Sequence, residues 1–211
     1  MGRTRPIYTL APLVLVIPTL LIWSAASTPL WSGPVLQSTT SGNNNVNGHG
    51  NGVGANVSGT TTVLSGTGSL AGPNDARDAS MDTGSIPSVF NGEVLSAGTM
   101  SWSDEVDSVV SLANLTLNVS GTTISADFVL TRASQVSGAA PTGLTMIDNL
   151  VINGVPISVT GAPNQTVAIP SGSVILNEQK ATGNGITVNA IHISNQGKND
   201  VVLASATAGI K

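Results

Sequence analysis

From about residue 109 onward the chain repeats one pattern. Short runs in which Val, Ile and Leu alternate with Ser, Thr and Asn are each closed by a Gly- or Asn-containing turn signal. A period of two puts successive apolar side chains on one face of a pleated strand, so each run buries one face and wets the other. After residue 85 no segment carries a strong helical repeat, so helices are not expected to cover a sheet. Two half-wet sheets must then bury their apolar faces against each other. The expected fold class is all-β, an antiparallel β-sandwich of Ig-like or jelly-roll-like type.

The runs can be placed. Val110 and Leu112, then Leu115, Leu117 and Val119, share a face, with a parity break at Ala113-Asn114 that predicts a bulge or strand boundary. Gly121-Thr122 turns the chain into Ile124, Ala126, Phe128 and Leu130, which completes a hairpin. Asn153-Gly154 between Leu150-Ile152 and Val155-Val159 predicts a type I′ turn, whose two positive φ angles suit those residues. Pro170-Ser171-Gly172 separates Val167-Ile169 from Val174-Leu176, Ile186 to Ile193 forms a further strand, and Val201 to Ala204 a last one.

Upstream the character changes. Residues 1–26 hold Arg3 and Arg5, then an uncharged, mostly apolar stretch from Ile7 to Trp23, then Ser24-Ala25-Ala26. That order is the anatomy of a signal peptide cleaved after Ala26. The alternative is an uncleaved signal anchor, although Pro12 and Pro18 interrupt the stretch. Either way the bulk of the chain is expected outside the cytoplasm. Residues 27–84 read as a Gly/Asn/Ser/Thr-rich linker. Within it, residues 27–72, and above all SGNNNVNGHGNGVGANVSG from Ser41 to Gly59, predict a disordered, flexible tether with His49 solvated inside it. The sandwich domain is expected over 85–211.

Composition narrows function by exclusion. Charged residues make up 9% of the chain, and without Arg3 and Arg5 the balance is 5 basic against 11 acidic. That is no nucleic-acid footprint. Cysteine is absent, which removes disulfides, thiolate nucleophiles and Cys-ligated metals.

Four runs stand together in the C-terminal half: LVINGVPISV (Leu150 to Val159), APNQTVAIP (Ala162 to Pro170), VILNEQ (Val174 to Gln179) and TVNAIHI (Thr187 to Ile193). In this order they resemble the choice-of-anchor P family of bacterial surface proteins, whose members share an extracellular β-rich domain and differ in attachment. The resemblance covers about residues 86–208. The positions that carry it are Asn153, Gly154, Pro163, Asn164, Leu176, Asn177, Glu178, Gln179, Asn189 and His192. It implies a surface protein and assigns no catalytic residue. With no sorting motif at Ile210-Lys211, the anchor is expected to be N-terminal, non-covalent or absent.

Candidate chemistry is sparse. His192, between Ile191 and Ile193, is expected on the wet face of a strand in a structural role. No GxSxG or HExxH motif occurs. Asp104, Glu105 and Asp107 form a weak calcium candidate, with a solvated strand edge as the simpler reading. Glu178 is expected at a buried, hydrogen-bonded strand position. No cofactor and no catalytic residue is assigned.

The expected function is a secreted or cell-surface structural or adhesive protein that is not an enzyme. One alternative is a self-assembling filament or matrix subunit, with an unpaired segment such as Thr60 to Leu64 donated as a strand to a neighbour. Another is a carbohydrate- or calcium-binding module. Partners would be envelope or matrix components or further copies of the chain. Nucleic acid is not expected, and a membrane would be engaged only through an uncleaved N-terminal segment.

Overall fold

The computed structural model describes residues 46–195 and 199–211, and they form two packed antiparallel sheets without a helix. The expected cleavage site at Ala26, and the tether up to residue 45, lie outside the described residues. The chain first lays β1 (Val46–Val57) and β2 (Thr60–Gly66) into one sheet. It crosses to the other for β3 (Ala76–Ile86), β4 (Phe90–Ser101), β5 (Glu105–Val119), β6 (Thr122–Val136), β7 (Thr142–Asp148), β8 (Val151–Ile152) and β9 (Val155–Pro156). It then returns for β10 (Gln165–Ile169), β11 (Gly172–Thr182), β12 (Gly185–Asn195) and β13 (Asn199–Ile210). The six-stranded sheet runs β10-β11-β12-β13-β1-β2, and the seven-stranded sheet runs β3-β4-β5-β6-β8-β9, with β7 also paired to β6. Each sheet is largely a meander, and the last strand closes on the first, with Val46 opposite Ile210.

The alternation sets what is buried. Val110, Leu112, Leu115 and Leu117 of β5 face Leu203, Ala206 and Ala208 of β13 across a core that is almost wholly aliphatic, with Phe90 as its buried aromatic ring. The β5–β6 hairpin pairs as expected, and Asn114, at the parity break, has φ 46°, but β6 changes face as well: Val129 is buried, and Phe128 and Leu130 leave the inward face of Ile124 and Ala126. The Asn153-Gly154 turn also takes the expected backbone, with φ 50° and 78°.

The six-stranded sheet has its own line of parity change. Asn177, Ala190, Ala204, Gly52 and Ser65 follow one another across five strands, and the pairing register is the same on both sides of them. Asn177, Ala204 and Ser65 take φ near 50°, a conformation that Asn tolerates best of the three. Leu176, Ile191 and Leu203 point inward on one side of this line, and Val188 and Ala206 on the other. The functional consequence falls on β11: Glu178 and Lys180 face outward, although Val174 and Leu176 just before them face the core.

The linker reading of 27–84 is corrected over its described part. Residues 46–57 are a central strand, and 60–66 and 76–86 are strands as well. The reason is steric. A Cβ on Gly48 would lie 2.6 Å from Thr99 Oγ1 and 2.9 Å from Val106 Cγ1, and one on Gly50 would lie 2.9 Å from Val110 Cγ2. Gly48 and Gly50 of this low-complexity run sit at inward positions where the facing sheet leaves no room for a side chain. Three hydrogen bonds tie the layers there and nearby: Ser108 Oγ donates to Thr207 O (2.7 Å), Ser65 Oγ to Ala79 O (2.9 Å) and Gln179 Nε2 to Gly143 O (3.2 Å). Thr60 to Leu64 is likewise corrected: it is not an unpaired donor but pairs with β1 inside the molecule. β3 begins at Ala76, inside the expected linker, and β4 lies within the expected domain.

Candidate functional site: a charged cluster on the outer face of the six-stranded sheet

Three of the four family-like runs converge here. β11 brings Glu178, β12 brings Asn189 and His192, and the loop before β10 brings Pro163 and Asn164. Glu178 stands opposite Asn189 in register, and Ile175 opposite His192. The Glu178 side chain is 7% exposed. Its Oε1 lies 2.9 Å from Lys180 Nζ, and its Oε2 accepts a hydrogen bond of 2.6 Å from Asn189 Nδ2. The same Oε2 lies 2.9 Å from His192 Nδ1, at ion-pair distance but without hydrogen-bond alignment. The other imidazole nitrogen, Nε2, is 2.7 Å from Asp200 Oδ1 on β13.

Burial alone would raise the Glu178 carboxyl pKa. The hydrogen bond from Asn189 and the Lys180 ammonium, with His192 close beside the same oxygen, override that and hold it below its ordinary value. Glu178 is thus the buried, hydrogen-bonded position expected from the sequence. His192 is on the outer face as expected, but its side chain is only 13% exposed because two carboxylates enclose it. With both ring nitrogens facing carboxylates, neither is directed at a hydroxyl. The arrangement clamps β11, β12 and β13 together.

A second network positions that cluster. Asn177, buried, donates from Nδ2 to Gly161 O at 2.9 Å and accepts at Oδ1 from Gln179 Nε2 at 2.9 Å. The Asn164 backbone N–H donates to Asn177 O, and Asn164 Oδ1 accepts from the Gln179 N–H, each at 2.9 Å. Leu176 is fully buried and anchors the strand. Asn153 and Gly154 lie elsewhere, at the β8–β9 turn, where Asn153 Oδ1 caps the Thr123 N–H at 2.9 Å.

The acidic trio, the weak calcium candidate of the sequence, does not converge on one point. Asp104 is exposed in the β4–β5 turn, Glu105 begins β5, and Asp107 is bound to Arg132 Nε at 2.8 Å. Among the described residues no three His, Asp or Glu side chains converge as metal ligands.

Three residues not singled out in the sequence, Lys180, Thr187 and Thr207, complete the face together with His49. Lys180, Thr187, Thr207 and His49 lie in one row across β11, β12, β13 and β1. Thr187 and Thr207 share a hydrogen bond of 3.0 Å. His49 is therefore not a solvated tether residue: it is half-buried on β1, and burial lowers its pKa. Asp200 and Lys180 could have been found from parity, since Asp200 falls on the outward side of the His192 hairpin and Lys180 is two residues beyond Glu178. His49 could not, because its strand read as a tether.

No protein-family model matches the chain, and no curated protein and no solved structure is significantly similar to it. Among the described residues no helix is long and apolar enough to cross a membrane.

Proposed function

We propose that this chain is an exported, cell-surface or extracellular structural protein, and that its sandwich works as a contact and spacing module without catalysing a reaction. The observation that carries this reading is the outer face of the seven-stranded sheet. Met100, Val109, Leu144 and Met146 are open to solvent there, at 40%, 38%, 52% and 49% exposure, beside the Arg132–Asp107 ion pair. Exposed apolar groups gathered on one face mark contact surfaces. The charged order of residues 1–26 supports export, and the resemblance to choice-of-anchor P proteins supports a surface location. The test is intact-mass measurement with N-terminal sequencing on fractions of the native host. A chain in the envelope or culture fluid is expected, beginning at Ser27 where the leader has been removed. A chain confined to the cytoplasm with Met1 retained overturns the reading, as does enzyme-like turnover of peptide or polysaccharide substrates.

A second reading rests on the other face. Asn47, Lys180, Asn184, Thr187, Thr207 and Lys211 line a shallow recess whose amide, hydroxyl and ammonium groups suit a saccharide. A glycan panel that leaves the melting temperature unchanged removes it.

A further inference from the structure

Among the described residues each sheet ends in edge strands; β2 and β10 are uncharged, like residues 142–147 of β7, but only β7 holds two large apolar side chains about half exposed to solvent. β3 carries Arg77, Asp78 and Asp82, and it receives the Ser65 hydroxyl of β2, so those two edges cover each other. β9 is two residues long and ends in Pro156. The exposed positions of β10 are Thr166 and Ala168. β7 is different. It pairs with β6 on one side and with no described strand on the other. From Thr142 to Ile147 it has no charge, and its outward positions Leu144 and Met146 are about half exposed. Gln179 Nε2 caps only the Gly143 carbonyl. An uncharged, apolar, unpaired strand is what natural sheets avoid unless a partner covers it.

We propose that two copies of this chain pair through β7, antiparallel about Thr145, so that the seven-stranded sheet continues across a two-fold axis. A two-fold perpendicular to the sheet keeps each face on its own side, so outward residues oppose outward residues. With Thr145 opposite its own copy, Leu144 lies opposite the second copy's Met146, and each Met146 opposite the second copy's Leu144. These are the cross-strand apolar pairs that stabilise a sheet. Asp148, the one charge on the strand, falls opposite Thr142 at the two far ends, so the acids never face each other. The apolar surface also continues past the edge: Leu130 lies next to Met146 on β6, and Ile147, Leu150, Pro156 and Ile157 line a recess at the end of β7. The pairing shares Leu144 and Met146 with the contact face of the proposed function, but it is made by the edge of β7, so a monomeric chain overturns the pairing and leaves that reading standing.

The test is sedimentation velocity of the full chain, with mild detergent to hold the apolar stretch 7–23, together with single-thiol cross-linking. The chain has no native cysteine, so an introduced thiol reports cleanly. A dimer is expected, and Leu144→Lys and Met146→Lys, both at exposed positions, are expected to abolish it while leaving the β-sheet circular dichroism unchanged. Mixing Leu144→Cys with Met146→Cys is expected to give a heterodisulfide in excess over either homodisulfide. A monomer at all concentrations overturns the proposal. So does a dimer that survives both lysine variants, or one whose disulfides form without preference for the 144–146 pair.

Discussion

His192 Nδ1 lies 2.9 Å from Glu178 Oε2 across the β11–β12 pair, and the same ring reaches Asp200 on β13 through Nε2 at 2.7 Å. One imidazole therefore joins three adjacent strands on a face that alternation alone would leave to solvent. The carboxylates differ in value, because the Glu178 side chain is 7% exposed and that of Asp200 is 64% exposed.

Glu178→Gln removes a carboxylate that Lys180, Asn189 and His192 all address. It should destabilise the fold by about 1–3 kcal/mol, since buried partners of a charged group lose their hydrogen bond. Asp200→Asn should cost no more than about 1 kcal/mol, because water screens an exposed pair. Urea unfolding of the two variants checks the order, and equal losses would contradict the clamp.

Gly48→Ala should destabilise by about 1–3 kcal/mol through overpacking. The new methyl would meet Thr99 Oγ1 at 2.6 Å and Val106 Cγ1 at 2.9 Å. Gly54→Ala, where nothing lies within 4 Å, is the control. If residues 46–57 were a tether, thermal melts of the two variants would coincide.

Acid should act in two windows. Burial lowers the His49 pKa below 6.5, so the unfolded chain takes up the proton first and stability declines as the pH falls below that value. Glu178 is held below 4.5, so its contribution is intact above 4.5 and is lost as the pH falls through its lower folded value. His49→Gln should flatten the upper window and leave the lower one, as read from denaturation midpoints against pH.

Leu203→Ala, at a fully buried position on the central strand β13, should cost about 2–5 kcal/mol. Met100→Ala, at a position 40% exposed, should change stability little. A melting temperature indifferent to millimolar calcium is also expected, because Arg132 already occupies Asp107.

The sequence by itself determined the sandwich, because a two-residue period can bury only one face of each strand. It also determined the hairpin that sets Leu117 opposite Ile124 and the Asn153-Gly154 turn, because local backbone chemistry fixes those. It placed Glu178, beside Asn177 and Gln179, at a buried and hydrogen-bonded strand position. Tertiary structure alone decided the rest. Gly48 and Gly50 look like spacer residues until the facing Thr99, Val106 and Val110 are in place, since close approach of two sheets leaves no local signal. Glu178 points away from the core, and toward Lys180 and His192, only because the parity line at Asn177 runs on through Ala190 and Ala204. His192 meets Asp200 only because β13 returns beside β12. Those are relations between strands, and alternation within one strand carries no information about which neighbour it will meet.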